Sequence, residues 1–121
     1  MHNPLLPPPD LEPGERVLWQ RPGSFSRSRG WVGGTLCVTT ARVMFIPTRL
    51  AFVSFAPLKL QQYPLTDLES VGIEEKDYTP YTGGMRKRIR LAFRGGDIML
   101  VAIKHLQEAV EEVQALMPSR G

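Results

Sequence analysis

The sequence predicts a mainly β domain that closes on one amphipathic helix, and three stretches carry that prediction. Residues 34–46 hold two short β-branched and apolar runs joined by a tight Thr39-Thr40-Ala41-Arg42 corner, the pattern of an antiparallel hairpin. Residues 86–94 alternate Ile89, Leu91 and Phe93 with Arg88, Arg90 and Arg94, which is the period of two that a strand requires. Residues 106–117 place Leu106, Val110, Val113 and Met117 at helical spacing, with Glu108, Glu111 and Glu112 turned outward.

The other elements follow in order. A turn at residues 11–15 leads into a first strand at about 16–20. Residues 21–34 read as a loop, because Pro22, Gly23, Ser24, Ser26, Ser28, Gly30 and Gly33 punctuate them. In the hairpin, Val38 should face Val43 and Leu36 should face Phe45, placing four apolar side chains on one face. The hairpin closes at Pro47, and an apolar stretch follows at 50–58. Short strands are expected at 61–65 and 68–74, then a loop at 76–84. The Gly95-Gly96 pair supplies positive φ for a tight turn. Pairing about it sets Phe93 against Ile98, Leu91 against Leu100 and Ile89 against Ala102. That register leaves the arginines outside with Val101 and Ile103. The helix ends before Pro118.

At 121 residues the chain suits one domain, and a chain of this size buries about two-thirds of its unfolded surface. We divide it into a mobile, Pro-rich lead-in (1–10), a domain (11–117) and a tail (118–121). Pro4, Pro7, Pro8 and Pro9 make the lead-in extended. It has neither the basic n-region nor the apolar h-region of a signal peptide. The single cysteine, Cys37, rules out an internal disulfide and fits a reducing cytoplasm. It lies mid-strand, where a buried inert thiol is expected. No apolar run approaches the ~20 residues of a membrane-spanning helix.

Charge is unevenly spread. No acidic residue occurs between Glu15 and Asp67, an interval holding Arg16, Arg21, Arg27, Arg29, Arg42, Arg49 and Lys59. An acidic patch (Asp67, Glu69, Glu74, Glu75, Asp77) then precedes the cluster Arg86-Lys87-Arg88-Ile89-Arg90. Such segregation favours anionic partners, although for any single arginine the reading as a solvated charge comes first.

Several short motifs, in order, resemble the GRAM branch of the pleckstrin-homology-like superfamily, in its small bacterial type. They are Pro13-Gly14-Glu15-Arg16-Val17-Leu18, Gly34-Thr35-Leu36-Cys37-Val38-Thr39 and Arg42-Val43-Met44-Phe45. Tyr63-Pro64-Leu65-Thr66-Asp67-Leu68-Glu69-Ser70-Val71, the Gly95-Gly96-Asp97 turn and the closing helix complete the set. The resemblance spans about residues 11–117. It implies a partly open barrel or sandwich of about seven antiparallel strands, capped by the C-terminal helix. It also implies a binding module, not an enzyme, whose ligands are membrane lipids or proteins, with basic residues near the first two strands gripping lipid head groups.

The residues offer three candidate surfaces. Arg21, Arg27 and Arg29 sit in a Gly/Ser loop whose backbone N–H groups can approach an anion, and arginine's fork suits phosphate. The competing reading is a solvated loop. Second, Phe52, Val53 and Phe55, flanked by Arg49 and Lys59, could enter a bilayer surface while the cations meet anionic lipid. A buried strand or a self-association surface competes. Third, Arg88 and Arg90 with Met99 and Val101 form a mixed strand face suited to a protein partner or a second copy. Alternatively, the aliphatics pack under the arginine stems.

Catalytic readings find little support. His2 lies in the lead-in, and His105 stands just before the helix as a poor cap. No nucleophile elbow, P-loop or paired metal-ligand spacing occurs, so no cofactor or metal is expected. The basic strand lacks interleaved aromatics, which disfavours nucleic acid. The expectation is a non-catalytic cytoplasmic module, peripheral at the inner membrane face, that meets anionic lipid head groups through the basic loop. The alternative is a protein-interaction or self-association domain, a homo-oligomer included.

Overall fold

The computed structural model describes residues 11–27, 30–47, 59–78 and 86–118. They form seven strands, β1 (Val17–Phe25), β2 (Val32–Thr39), β3 (Arg42–Pro47), β4 (Gln61–Pro64), β5 (Leu68–Glu74), β6 (Arg88–Phe93) and β7 (Ile98–Ala102), followed by helix α1 (Leu106–Gln114). All strand pairs are antiparallel, and the sheet order is β4-β3-β2-β1-β7-β6-β5. This is the partly open, pleckstrin-homology-like sandwich with a C-terminal helix that the sequence predicts. The lead-in, the tail beyond Pro118, and residues 50–58 with Arg49, Phe52, Val53 and Phe55 lie outside the described residues, as do Arg29 and most of the 76–84 loop.

The opening hairpin has the expected register, with Val38 opposite Val43 and Leu36 opposite Phe45, all fully buried. Its corner is built by Thr39, whose Oγ1 accepts the Ala41 and Arg42 N–H groups, both at 3.0 Å. The same hydroxyl donates to the Glu15 carboxylate. Arg42 grips that carboxylate through Nε at 2.8 Å and Nη2 at 3.1 Å. The Glu15 side chain is 1% exposed, so it is buried with its acceptor sites filled, the condition under which a buried charge is tolerated. The hydrogen bonds from Arg42 and Thr39 hold its carboxyl at about 2, below the usual 4.5. Cys37 lies buried beside this corner, and burial pushes its thiol up to about 11.

Two expectations are corrected. Residues 21–34 are mostly strand: β1 runs on to Phe25 and β2 starts at Val32. The Pro/Gly/Ser composition serves an edge and a close strand approach instead of a loop. Pro22 pairs with Thr35 of β2 but has no β7 partner, because β1 meets β7 only from Ser24 onward. Among the described residues one side of β1 is therefore an edge there, where a missing N–H is harmless. At Gly23 a Cβ would lie 2.7 Å from Val101 Cγ1 and 2.8 Å from the Ala102 carbonyl oxygen. Only glycine lets β1 pass this close to the end of β7.

The second correction is the β6–β7 register. Leu91 pairs with Met99 and Ile89 with Val101, one residue away from the expected pairing. The Phe93 N–H donates to the Asp97 carbonyl at 2.8 Å, so three residues, Arg94-Gly95-Gly96, make the turn. Gly95 and Gly96 do adopt positive φ, 94° and 98°. A one-residue slip exchanges the faces of a strand. Met99 and Val101 are therefore core residues, 1% and 0% exposed, not surface contacts, while Ile98 is turned out at 45%.

The open edges of the sheet are drawn together by a single 3₁₀ turn at Leu65–Asp67. The Leu65 N–H bonds the Ala41 carbonyl, and the Arg94 N–H bonds the Asp67 carbonyl at 2.7 Å. Tyr63 of β4 stacks on Phe93 of β6 with ring centroids 4.3 Å apart. Helix α1 buries Ala109, Val110 and Val113 and packs on β5 and β6. It begins at His105, a left-handed residue whose side chain makes no capping bond, as expected of a poor cap. It ends at Gln114, short of Met117, yet Leu116 and Met117 still pack on the core. Glu112 reaches back to β1, accepting from the Trp19 indole and from Arg21, both at 2.8 Å.

These contacts predict two outcomes. Glu112→Ala leaves the buried Trp19 N–H unpaired and should cost about 1–2 kcal/mol in chemical denaturation. Arg21→Ala removes only a half-exposed ion pair and should cost less than about 1 kcal/mol. The depressed Glu15 carboxyl contributes stability that is complete above pH 4.5 and is lost as pH falls toward 2. Glu15→Gln should flatten that acid limb in denaturation curves measured across the window.

Candidate functional site

The predicted basic loop contracts to the β1–β2 connection, residues 26–31, of which Arg27, Gly30 and Trp31 are described beside Ser26. Arg21 is not in it. Arg21 belongs to β1, pairs with Glu112 and lies over the Trp19 ring, 5.3 Å from its centroid. Its charge is committed to holding the helix. Arg27 is half-buried, and its Nε donates to the Gly30 carbonyl at 3.1 Å, while the Gly30 N–H returns a bond to the Arg27 carbonyl at 3.2 Å. Gly30 adopts φ 113°, which closes this small turn.

Trp31, next in the chain, is 56% exposed. Sequence reasoning passed over it. The available signal was a lone tryptophan between Gly30 and Gly33, next to Arg27 and Arg29, in a chain whose other tryptophan, Trp19, is buried. A large amphipathic ring presented to solvent beside cations is the side-chain type that settles at membrane–water interfaces.

Arg88 supports this connection from below. The expected outer-face cation is 2% exposed. Its Nη1 approaches Ser26 Oγ at 3.4 Å, and Nη2 donates to the Glu75 carbonyl at 3.1 Å and faces Asp77 at 3.6 Å. One guanidinium thus joins the exit of β1, the exit of β5 and the start of β6. Its Nε is buried without a hydrogen-bond partner. Arg90 is half-exposed, with Nε 3.6 Å from Glu74. Lys59 is exposed just before β4. Of the proposed mixed face, then, Arg90 remains at the surface, Arg88 is an internal tie, and Met99 and Val101 are core.

The carboxylates are engaged with cations as well: Glu74 with Arg90 and Glu75 with Lys87, the latter at 3.8 Å. Among the described residues no cluster of three metal-ligating side chains occurs, and no helix is long and apolar enough to cross a membrane.

No family model matches the sequence, and no curated protein does. Solved structures do match by shape. The C-terminal domain of an unknown protein from Leishmania infantum superposes with a TM-score of 0.63 at 12% identity, covering 87% of this chain and 86% of that one. The hSac2 domain from the human phosphoinositide phosphatase Sac2 superposes with a TM-score of 0.55 at 17% identity, covering 88% of this chain and 68% of that one. At these identities the likeness is one of fold.

Proposed function

We propose that this domain is a non-catalytic module of the GRAM type that docks peripherally on anionic membrane surfaces through its β1–β2 connection. The observation that carries the reading is the exposed Trp31 beside the Arg27 turn, on a connection tied to β5 and β6 by buried Arg88. An interfacial ring and nearby cations supply the two attractions that peripheral binding combines, apolar insertion and charge. The acid-free interval from Arg16 to Thr66 adds a field of the right sign. The fold shared with a domain of a phosphoinositide phosphatase is compatible with a lipid-facing role.

A protein-interaction or self-association role is the second reading, favoured by Ile98, which the β6–β7 register turns out to solvent. It predicts a dimer in light scattering that Ile98→Asp dissociates.

Membrane docking predicts co-sedimentation with vesicles of phosphatidylserine and phosphatidylcholine at low salt, a blue-shifted tryptophan emission, and no binding to pure phosphatidylcholine. Trp31→Ala should abolish the emission shift. Arg27→Glu should weaken binding several-fold, since each cation near such a surface contributes about 1 kcal/mol. Raising the salt should weaken it further. Absence of sedimentation with anionic vesicles at low salt would overturn the proposal, and so would unchanged binding by both variants.

A further inference from the structure

A second basic feature lies away from the β1–β2 connection, where β1 approaches the end of β7. A cavity of about 350 Å³ is lined by Pro22, Gly23, Ser24, Arg86, Ala102 and Lys104. Arg86 precedes β6 by two residues and Lys104 follows β7 by two. Extending the register of Ile89 with Val101 and Arg90 with Leu100 sets Arg86 directly opposite Lys104. Like charges in that relation repel and weaken a strand pair unless something offsets them.

Nothing among the described residues does so. Neither Arg86 nor Lys104 has an ion-pair partner, and the cavity lining contains no carboxylate. The acidic groups that precede β6, Glu75 and Asp77, face Lys87 and Arg88. Arg88 itself falls opposite Ala102 in the same register, one step inward from the Arg86–Lys104 pair. Arg88 is itself engaged by Asp77 and the Glu75 carbonyl, so those acceptors are drawn to Arg88 and away from the Arg86–Lys104 pair. The Ser24 hydroxyl, half-buried in the lining, makes no hydrogen bond among the described residues and can donate one. The close approach of β1 to β7, which only Gly23 permits, fixes the wall that carries this hydroxyl.

We infer that this cavity is an anion site for a phosphate monoester, held between Arg86 and Lys104 with Ser24 as a neutral donor. Arginine and lysine complement each other there, one as a planar fork and the other as a point charge. The volume lies within the range of small-ligand pockets. A bound anion offsets the repulsion between Arg86 and Lys104, so binding and strand pairing reinforce one another. The inference is independent of membrane docking by Trp31 and stands or falls separately.

The test is a titration of isotopically labelled protein with inorganic phosphate and, separately, with the soluble head group of phosphatidylinositol monophosphate, followed by backbone amide shifts. Saturable shifts centred on Gly23, Ser24, Ala102 and Lys104 are expected. Tighter saturation by the head group assigns the site to a lipid, and equal saturation assigns it to free phosphate. The double variant R86Q/K104Q should lose affinity by about tenfold or more, as expected for charge-assisted bonds. It should melt no lower than the parent, because a repulsion is removed. K104Q alone, at an exposed position beyond β7, carries the same test if the double variant folds poorly. No saturable shift, shifts centred on Arg27 and Trp31 instead, or unchanged affinity in both variants would overturn the inference.

Discussion

The sheet depends on one short ladder. Ser24 and Phe25 of β1 pair with Ala102 and Val101 of β7, and the Ser26 N–H adds a bond to the Leu100 carbonyl at 2.8 Å. Among the described residues this is the strand pairing that joins the β4-β3-β2-β1 half to the β7-β6-β5 half. Gly23 permits this meeting by having no Cβ where Val101 and Ala102 approach. Phe25 then enters the core at the seam, 5.1 Å from Phe45 of β3. The candidate surfaces follow from this geometry. The close approach of β1 to the end of β7 lines the basic cavity, and the continuation of β1 past the seam leads into the connection that carries Trp31.

The opposite side of the sandwich is closed by different means. There the edges of β4 and β5 do not pair, and a 3₁₀ turn bridges them with one backbone bond to each neighbouring corner. The Tyr63–Phe93 stack adds an apolar contact across the same gap. Near the hairpin corner, Glu15, Thr39 and Arg42 form a filled polar cluster at the mouth of the core. Such a cluster fixes where the chain enters β1, because removing Arg42 leaves the buried Glu15 carboxylate without its cation.

The legible parts of the sequence were those in which local pattern and tertiary need agree. The residue 34–46 hairpin, the strand alternation at Ile89, Leu91 and Phe93, and the helical spacing of Val110 and Val113 all read directly. The failures share a cause. Pro22, Gly23 and Ser24 look like loop residues because a bend, an edge and a turn draw on the same composition, and only the approach of β7 distinguishes them. The β6–β7 register hung on whether the turn holds two residues or three, which two adjacent glycines do not decide. Arg88 reads as a surface charge because its partners, Ser26, Glu75 and Asp77, come from three separate segments. Trp31 was readable only as a tryptophan in a loop, since exposure is a tertiary property.

Among the described residues, one side of β1 before the seam has no strand beside it, for β7 begins its pairing only at Ser24. A row of unpaired backbone groups at such a position can recruit a strand from another molecule. Here the exposure is blunted three times over: Pro22 withholds a donor, Arg21 places a charge on the rim, and Glu112 of α1 fastens the helix across Trp19 and Arg21. The terminal helix therefore does more than complete the core. Through Glu112 it also fastens itself across the stretch of β1 before the seam, and so ties the geometry of the seam to the cover of an exposed strand edge.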